Sequence, residues 1–194
     1  MDFKQELNNY QEIINNELEK YLRKQECPEK LLNKSMEYSL MAGGKRLRPI
    51  LMIDVYKIFS DDYEKCLPFA VAMEMIHNFS LIHDDLPGID NDDFRHGKQT
   101  NHKKFNEATA ILAGDGLLNG AYQVIANNIL KETDAKNQKT AFYYVKIHTH
   151  ISYLIQTQLS SHSLPTHTNN THMMHYTVIV SKDYNLLFVS NSIY

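Results

Sequence analysis

Apolar and polar positions alternate along the first two thirds of the chain with a helical period. Phe3, Leu7, Tyr10, Ile14, Leu18 and Tyr21 recur at spacings of three and four, with charged and amide residues between them. That pattern predicts an amphipathic helix over 3–24. Pro28 suits a first helical turn, and Leu31, Leu32, Ser35, Met36, Ser39 and Leu40 run on to Gly43-Gly44, which can cap a helix in a left-handed conformation. Pro49 opens a third helix to about Phe59, with Ser60-Asp61-Asp62 as polar turn chemistry. A fourth helix is predicted over roughly 62–85, a fifth over 106–130 and a sixth over 140–158. No strand is predicted before about 176, although Tyr176–Val180 and Leu186–Val189 carry a weak pattern. The body is therefore expected to be all-α.

Two breaks interrupt this regularity. The first is His77–Lys98, which follows an apolar periodic run and holds five Asp residues within ten positions, at 84, 85, 90, 92 and 93. Pro87-Gly88 end the helix just after Asp84 and Asp85. A helix C-terminus carries partial negative charge, so adjacent carboxylates there need a cation to offset them. Magnesium takes oxygen ligands and completes its shell with water and phosphate oxygens, which suits this spacing. The second break lies near 147. Beyond it Lys182 and Asp183 are the only Asp, Glu, Lys or Arg residues, there is no glycine, and six of the ten histidines occur. His148, His150, His172 and His175 have tolerable metal-ligand spacing without carboxylate or thiolate partners nearby. These breaks divide the chain into a body over 1–140 and a divergent tail over 141–194.

Composition narrows the classes. A 194-residue chain is long enough for one domain with a hydrophobic core. The net charge of −3 gives no basic face for nucleic acid. Cys27 and Cys66 are isolated and form no zinc or disulfide spacing, which fits a reducing cytoplasm. The polar N-terminus carries no secretory signal, and no apolar run reaches membrane-spanning length. Cytoplasmic location is the expectation.

The candidate chemistry lies in a basic loop and the acidic stretch. Lys45 and Arg48 follow two glycines that let backbone approach a ligand, and Arg offers a planar bidentate fork to phosphate. The loop is not a P-loop, because no Gly-x-x-x-x-Gly-Lys-Ser/Thr is present. His77 and Asp84 are seven apart on the fourth helix, hence on one face, and Phe79 and Ser80 lie just over a turn before the acidic pair.

Three segments, Gly43-Gly-Lys-Arg-Leu-Arg-Pro49, Ile82-His-Asp-Asp-Leu-Pro-Gly-Ile-Asp90-Asn-Asp-Asp-Phe-Arg95 and Ala110-Ile-Leu-Ala-Gly-Asp-Gly-Leu-Leu118, resemble the trans-isoprenyl diphosphate synthases, and most nearly their bacterial farnesyl diphosphate branch. The likeness covers about residues 1–135. It implies an antiparallel helix bundle around a central cavity, usually in a homodimer, that condenses isopentenyl diphosphate with dimethylallyl or geranyl diphosphate. It implies magnesium on Asp84, Asp85 and Asp90, and Arg95 on the allylic diphosphate. Lys45, Arg48 and His77 then match the isopentenyl diphosphate pocket. The family carries a second Arg where this chain has His96, and a neutral imidazole supplies no permanent charge there. Phe79 and Ser80 fall at the positions that set product length. The family's later Gly-Gln motif and second Asp-Asp-x-x-Asp motif have no counterpart after 135. Two readings follow: a synthase of farnesyl type truncated after its N-terminal half, or an inactive or regulatory subunit that associates with a complete synthase. A histidine-based metal module in the tail is a weaker third.

Overall fold

In a computed structural model, residues 2–24, 29–135, 138–139, 175–181 and 186–192 are described. Six helices make the body: α1 (Phe3–Lys24), α2 (Lys30–Leu40), α3 (Leu47–Lys57), α4 (Leu67–Asp84), the short α5 (Asn101–Lys104) and α6 (Glu107–Lys131). A 3-10 turn, Tyr63–Cys66, leads into α4. Helix α4 packs along α6 over most of its length, with α1, α2 and α3 around the pair. The all-α expectation holds for this body.

Helix ends differ in detail from the sequence reading. Helix α2 starts at Lys30, where the Glu29 side chain accepts from the Leu31 N–H. Pro28 and the predicted sixth helix over 140–158 lie outside the described residues. Pro49 falls in the third position of α3 rather than opening it, and Arg46 is the preceding cap with φ 51°. Gly43 and Gly44 take positive φ of 113° and 111°, but α2 is capped earlier, at Met41 with φ −99°, so the glycines shape the loop rather than cap the helix.

The prediction of no strand before 176 needs correction. Strands β1 (Phe94–Arg95) and β2 (Lys98–Gln99) pair antiparallel, Arg95 opposite Lys98. His96 and Gly97 between them both have positive φ, 51° and 75°. Both central residues therefore take the conformation of a type I′ two-residue turn. Strands this short leave no alternation to read, so the His-Gly pair was the only signal. In the tail, β3 (His175–Ser181) and β4 (Leu186–Ser192) pair antiparallel with Val178 opposite Val189, close to the two weak patterns.

The core explains why α4 is so straightforwardly placed. Ala70, Ala72, Met75, Phe79 and Ile82 of α4 are buried against Ala110, Ala113, Leu117, Ala121 and Ile125 of α6 and against Ile14, Leu18 and Leu40 of α1 and α2. Apolar residues surround α4 on nearly all sides, as expected of a central helix. Its C-terminus delivers the acidic stretch, and its middle delivers His77.

Candidate active site

The basic loop splits into residues that face outward and one that faces in. Lys45 is exposed and Arg48 half-buried, whereas Arg46 is almost fully buried. Arg46 Nη1 donates to Glu74 Oε1 at 2.7 Å, Nε to Asn15 Oδ1 at 2.9 Å, and Nη2 to the Leu40 carbonyl at 2.6 Å. Gln11 Nε2 donates to the Gly44 carbonyl at 2.7 Å. Sequence reasoning treated Arg46 as one more loop cation. Its signal was the lone Glu74 on an otherwise apolar helix, which required a buried counter-charge.

Arg48 and His77 meet. Arg48 Nη1 stands 3.0 Å from His77 Nε2, so the imidazole nitrogen accepts from the guanidinium and the ring is neutral. Burial most of all, and then the charges of Arg48, Arg95, Arg46 and His96 in that order, together lower the His77 pKa from 6.5 to about 3. The same neighbours show that His77, the loop and the hairpin converge. His96 Nε2 lies 3.9 Å from the position a Cβ on Gly44 would occupy, so the hairpin turn rests beside the glycine loop.

The acidic stretch divides too. Asp85 is buried, and Arg95 Nε donates to both its oxygens at 2.9 Å, with Nη2 adding a third bond. Burial pushes the Asp85 carboxyl up from its ordinary range, and Arg95 pulls it part of the way back. The bond from Asp85 in turn holds the Arg95 proton more tightly. The cation that offsets Asp85 at the helix terminus is thus Arg95. Asp84 is partly exposed and Asp90 exposed, joined through the loop by an Asp90 N–H bond to the Asp84 carbonyl at 2.9 Å.

Among the described residues, no three of His, Cys, Asp and Glu stand together closely enough to enclose a metal ion. Asp84, Asp85 and Asp90, the expected magnesium ligands, therefore form no such group, together or with a third residue, and both oxygens of Asp85 are engaged by Arg95.

Phe79 and Ser80, expected to set product length, are both buried on α4. Phe79 is fully buried, its ring 4.7 Å from the His83 ring in an edge-to-face contact. Ser80 Oγ donates to the His77 carbonyl at 2.7 Å, so its hydroxyl is folded back onto α4. A small cavity of about 30 Å³ with a mixed lining lies beside Arg95, with Leu81 and Ile82 on its wall together with Tyr38, Asn78, Asp85 and Thr100.

The hairpin is pinned by contacts the sequence did not reveal. Thr100 Oγ1 donates to the Asp92 carbonyl at 2.7 Å, and Tyr38 Oη donates to the Gln99 carbonyl at 2.8 Å. Asn101 Nδ2 donates to the Ser35 carbonyl at 2.9 Å and to Ser39 Oγ at 2.8 Å, while Ser35 Oγ donates to Asn101 Oδ1 at 2.7 Å. Two serines on an otherwise apolar helix face were the available clue. Arg95 stands opposite Lys98 in the hairpin register, its guanidinium engaged by Asp85 and within 3.7 Å of an Asp92 oxygen.

Polyprenyl synthetase is the family whose model matches this chain, over residues 29–189. The chain belongs to the polyprenyl synthetase family. It is 52% identical over 125 residues to the farnesyl diphosphate synthase of Geobacillus stearothermophilus, an alignment covering 64% of this chain and 42% of that one. The farnesyl diphosphate synthase of Bacillus subtilis is 49% identical over 125 residues, with the same coverage. Among solved structures, an FPP/GFPP synthase from Zymomonas mobilis superposes with a TM-score of 0.73 at 31% identity, covering 84% of this chain and 59% of that one. A geranyltranstransferase from Thermotoga maritima gives 0.67 at 33% identity, covering 80% and 54%. The chain thus spans less than half the length of the curated polyprenyl synthetases it matches here. The fold resemblance inferred from the three sequence motifs is borne out by these relatives. Among the described residues no helix is long and apolar enough to cross a membrane.

Proposed function

We propose that this chain carries the diphosphate-binding half of a prenyltransferase cavity, of the kind that joins isopentenyl diphosphate to dimethylallyl or geranyl diphosphate to make farnesyl diphosphate. One observation carries the reading: Arg48 Nη1 meets His77 Nε2 at 3.0 Å while the His96 turn rests against Gly44 and Arg95 is bound to Asp85, so the glycine loop and the hairpin meet beside the acidic stretch. Lys45, Arg48 and His77 would receive isopentenyl diphosphate, with His77 a neutral hydrogen-bonding group rather than a charge. His96 adds charge to that pocket only when protonated. Arg95, held by Asp85, would meet the allylic diphosphate.

In the reaction, the allylic carbon–oxygen bond breaks and diphosphate leaves. The double bond of isopentenyl diphosphate attacks the allylic carbon, and the resulting cation loses a proton. Magnesium held through Asp84 and Asp90 would neutralise charge on the departing diphosphate. Arg95 is already fixed where that charge grows, so it reorganises little. The apolar walls around Phe79 keep water from the carbon skeleton. A cytoplasmic homodimer is part of the same proposal.

A second reading is supported by α6. Leu112 and Leu130, towards opposite ends of that helix, are 55% and 82% exposed, and contacts of this kind with a complete synthase would make the chain an inactive or regulatory subunit. Calorimetry with inorganic pyrophosphate and magnesium tests the site directly. Binding that weakens at least tenfold in Arg48→Ala and in Asp84→Ala supports it, and no binding by the unaltered chain overturns it. Assay of isopentenyl and geranyl diphosphates then separates the two readings. Turnover by the chain alone favours the synthase, and inactivity with tight association to a complete synthase favours the subunit.

A further inference from the structure

Arg46 touches neither the outward cations nor the acidic stretch, yet its side chain joins four parts of the fold. Its guanidinium reaches Asn15 on α1, the Leu40 carbonyl at the end of α2, and Glu74 on α4, while its own backbone caps α3. Glu74 is 4% exposed and Arg46 3%, so the pair is dry on both sides. Asn78 Nδ2 donates to the Glu74 carbonyl at 2.9 Å, which leaves Glu74 anchored along its own helix. Three residues after Glu74, on the same side of α4, comes His77; two residues after Arg46 comes Arg48.

We propose that the Arg46–Glu74 ion pair is a positioning device for the diphosphate pocket: it sets the start of α3 against α4 so that Arg48 reaches His77. The inference rests on the reading of Lys45, Arg48 and His77 as a diphosphate pocket. The geometry leaves few alternatives for holding that contact. Lys45 is exposed and the two glycines before it sit at positive φ without side chains, so apart from the Gln11 bond to the Gly44 carbonyl little else locks the loop. Arg46 itself sits at φ 51°, a left-handed conformation unfavourable for a residue with a Cβ. Buried contacts on three sides over-determine that conformation. A lysine there could not bridge three acceptors in one plane.

A structural role and a positioning role separate cleanly. Replacing a buried ion pair by apolar residues of similar volume often preserves stability, whereas removing one partner does not. The double variant Arg46→Met/Glu74→Leu is therefore the main probe, with Arg46→Lys as the second should the double variant fail to fold. The first readout is the His77 tautomer at pH 8, from long-range proton–nitrogen spectra of the imidazole. In the unaltered chain Nε2 accepts from Arg48, so the proton resides on Nδ1 alone. We expect a mixture of both tautomers in either folded variant, and at least tenfold weaker binding of inorganic pyrophosphate with magnesium. A folded variant in which His77 keeps its single tautomer overturns the proposal. If the tautomer shifts while the unaltered chain binds no pyrophosphate, the positioning stands and the diphosphate reading falls.

Discussion

His83 of α4 lies against the backbone of α6 at Gly114, where a Cβ would stand 2.3 Å from His83 Nε2. The same nitrogen is 3.1 Å from the Ile111 carbonyl and 3.8 Å from an Asp115 oxygen. The Ala-Gly-Asp-Gly segment of the third sequence motif is thereby explained: the first glycine makes room for the ring, and the Asp stands beside it.

Gly114→Ala should therefore destabilise the fold, although alanine is the better helix former by about 1 kcal/mol. The ring must leave its contact with Ile111, and overpacking of this kind costs roughly 1–3 kcal/mol. Adding a lost hydrogen bond of about 1 kcal/mol leaves a net loss of about 1–3 kcal/mol. Urea denaturation measures it; equal or greater stability in the variant contradicts the packing described.

His77 predicts an acid limb to stability. Its pKa is about 3 in the fold and 6.5 when unfolded, so between those values the unfolded chain binds a proton that the folded chain refuses. The contribution is intact above pH 6.5 and is lost as pH falls toward 3, by up to about 1.4 kcal/mol per unit. His77→Gln should flatten the profile between pH 6.5 and 5, a window above most carboxylate titrations. Parallel profiles in the two proteins would show that the ring is not held neutral.

The two adjacent aspartates should respond differently. Asp84→Ala is expected to abolish the enhancement of magnesium binding by pyrophosphate while leaving stability within about 0.5 kcal/mol, as for a surface change. Asp85→Ala leaves Arg95 without its buried partner and should lower stability by about 3 kcal/mol or more. Magnesium titrations with and without pyrophosphate, paired with melting curves, read both effects. Equal magnesium affinity in Asp84→Ala and the unaltered chain removes Asp84 from the site.

Phe79→Ala should cost about 3–5 kcal/mol, because a fully buried ring leaves a cavity when truncated. If the ring also limits product length, a chain completed with the missing half of a relative should make products longer than fifteen carbons in this variant. Unchanged products with lowered stability would reduce Phe79 to packing alone.

Much of the helical body was legible because its apolar positions keep a helical period over several turns. Motif spacing marked Arg48 and His77 as candidates for one site, and the structure brings those two together. What escaped was pairing over long range. Nothing local marks Arg46 as buried and Arg48 as only half-buried, since both sit in the same run of cations. Asp85 looks like a metal ligand beside Asp84 until Arg95, ten residues later, is seen to occupy both its oxygens. The β1–β2 hairpin was missed for a different reason: its strands are two residues long, and its geometry rests on positive φ at His96 and Gly97.

Helix α6 has a consequence for the order of assembly. Gly114 receives His83 of α4, Gly116 faces Met36 of α2, and Gly120 faces Tyr21 of α1 and Met75 of α4. Three glycines cost an isolated helix roughly 3 kcal/mol relative to alanines. Alone, then, α6 has little reason to coil; it gains its stability from side chains that three earlier helices bring to those gaps. Helix α4 meets its most extensive partner only when α6 is present, although α1, α2 and α3 already contact it. During synthesis, the full set of core contacts closes only after residue 131 has emerged. Nicking the chain between α4 and α6 should therefore melt both sides together.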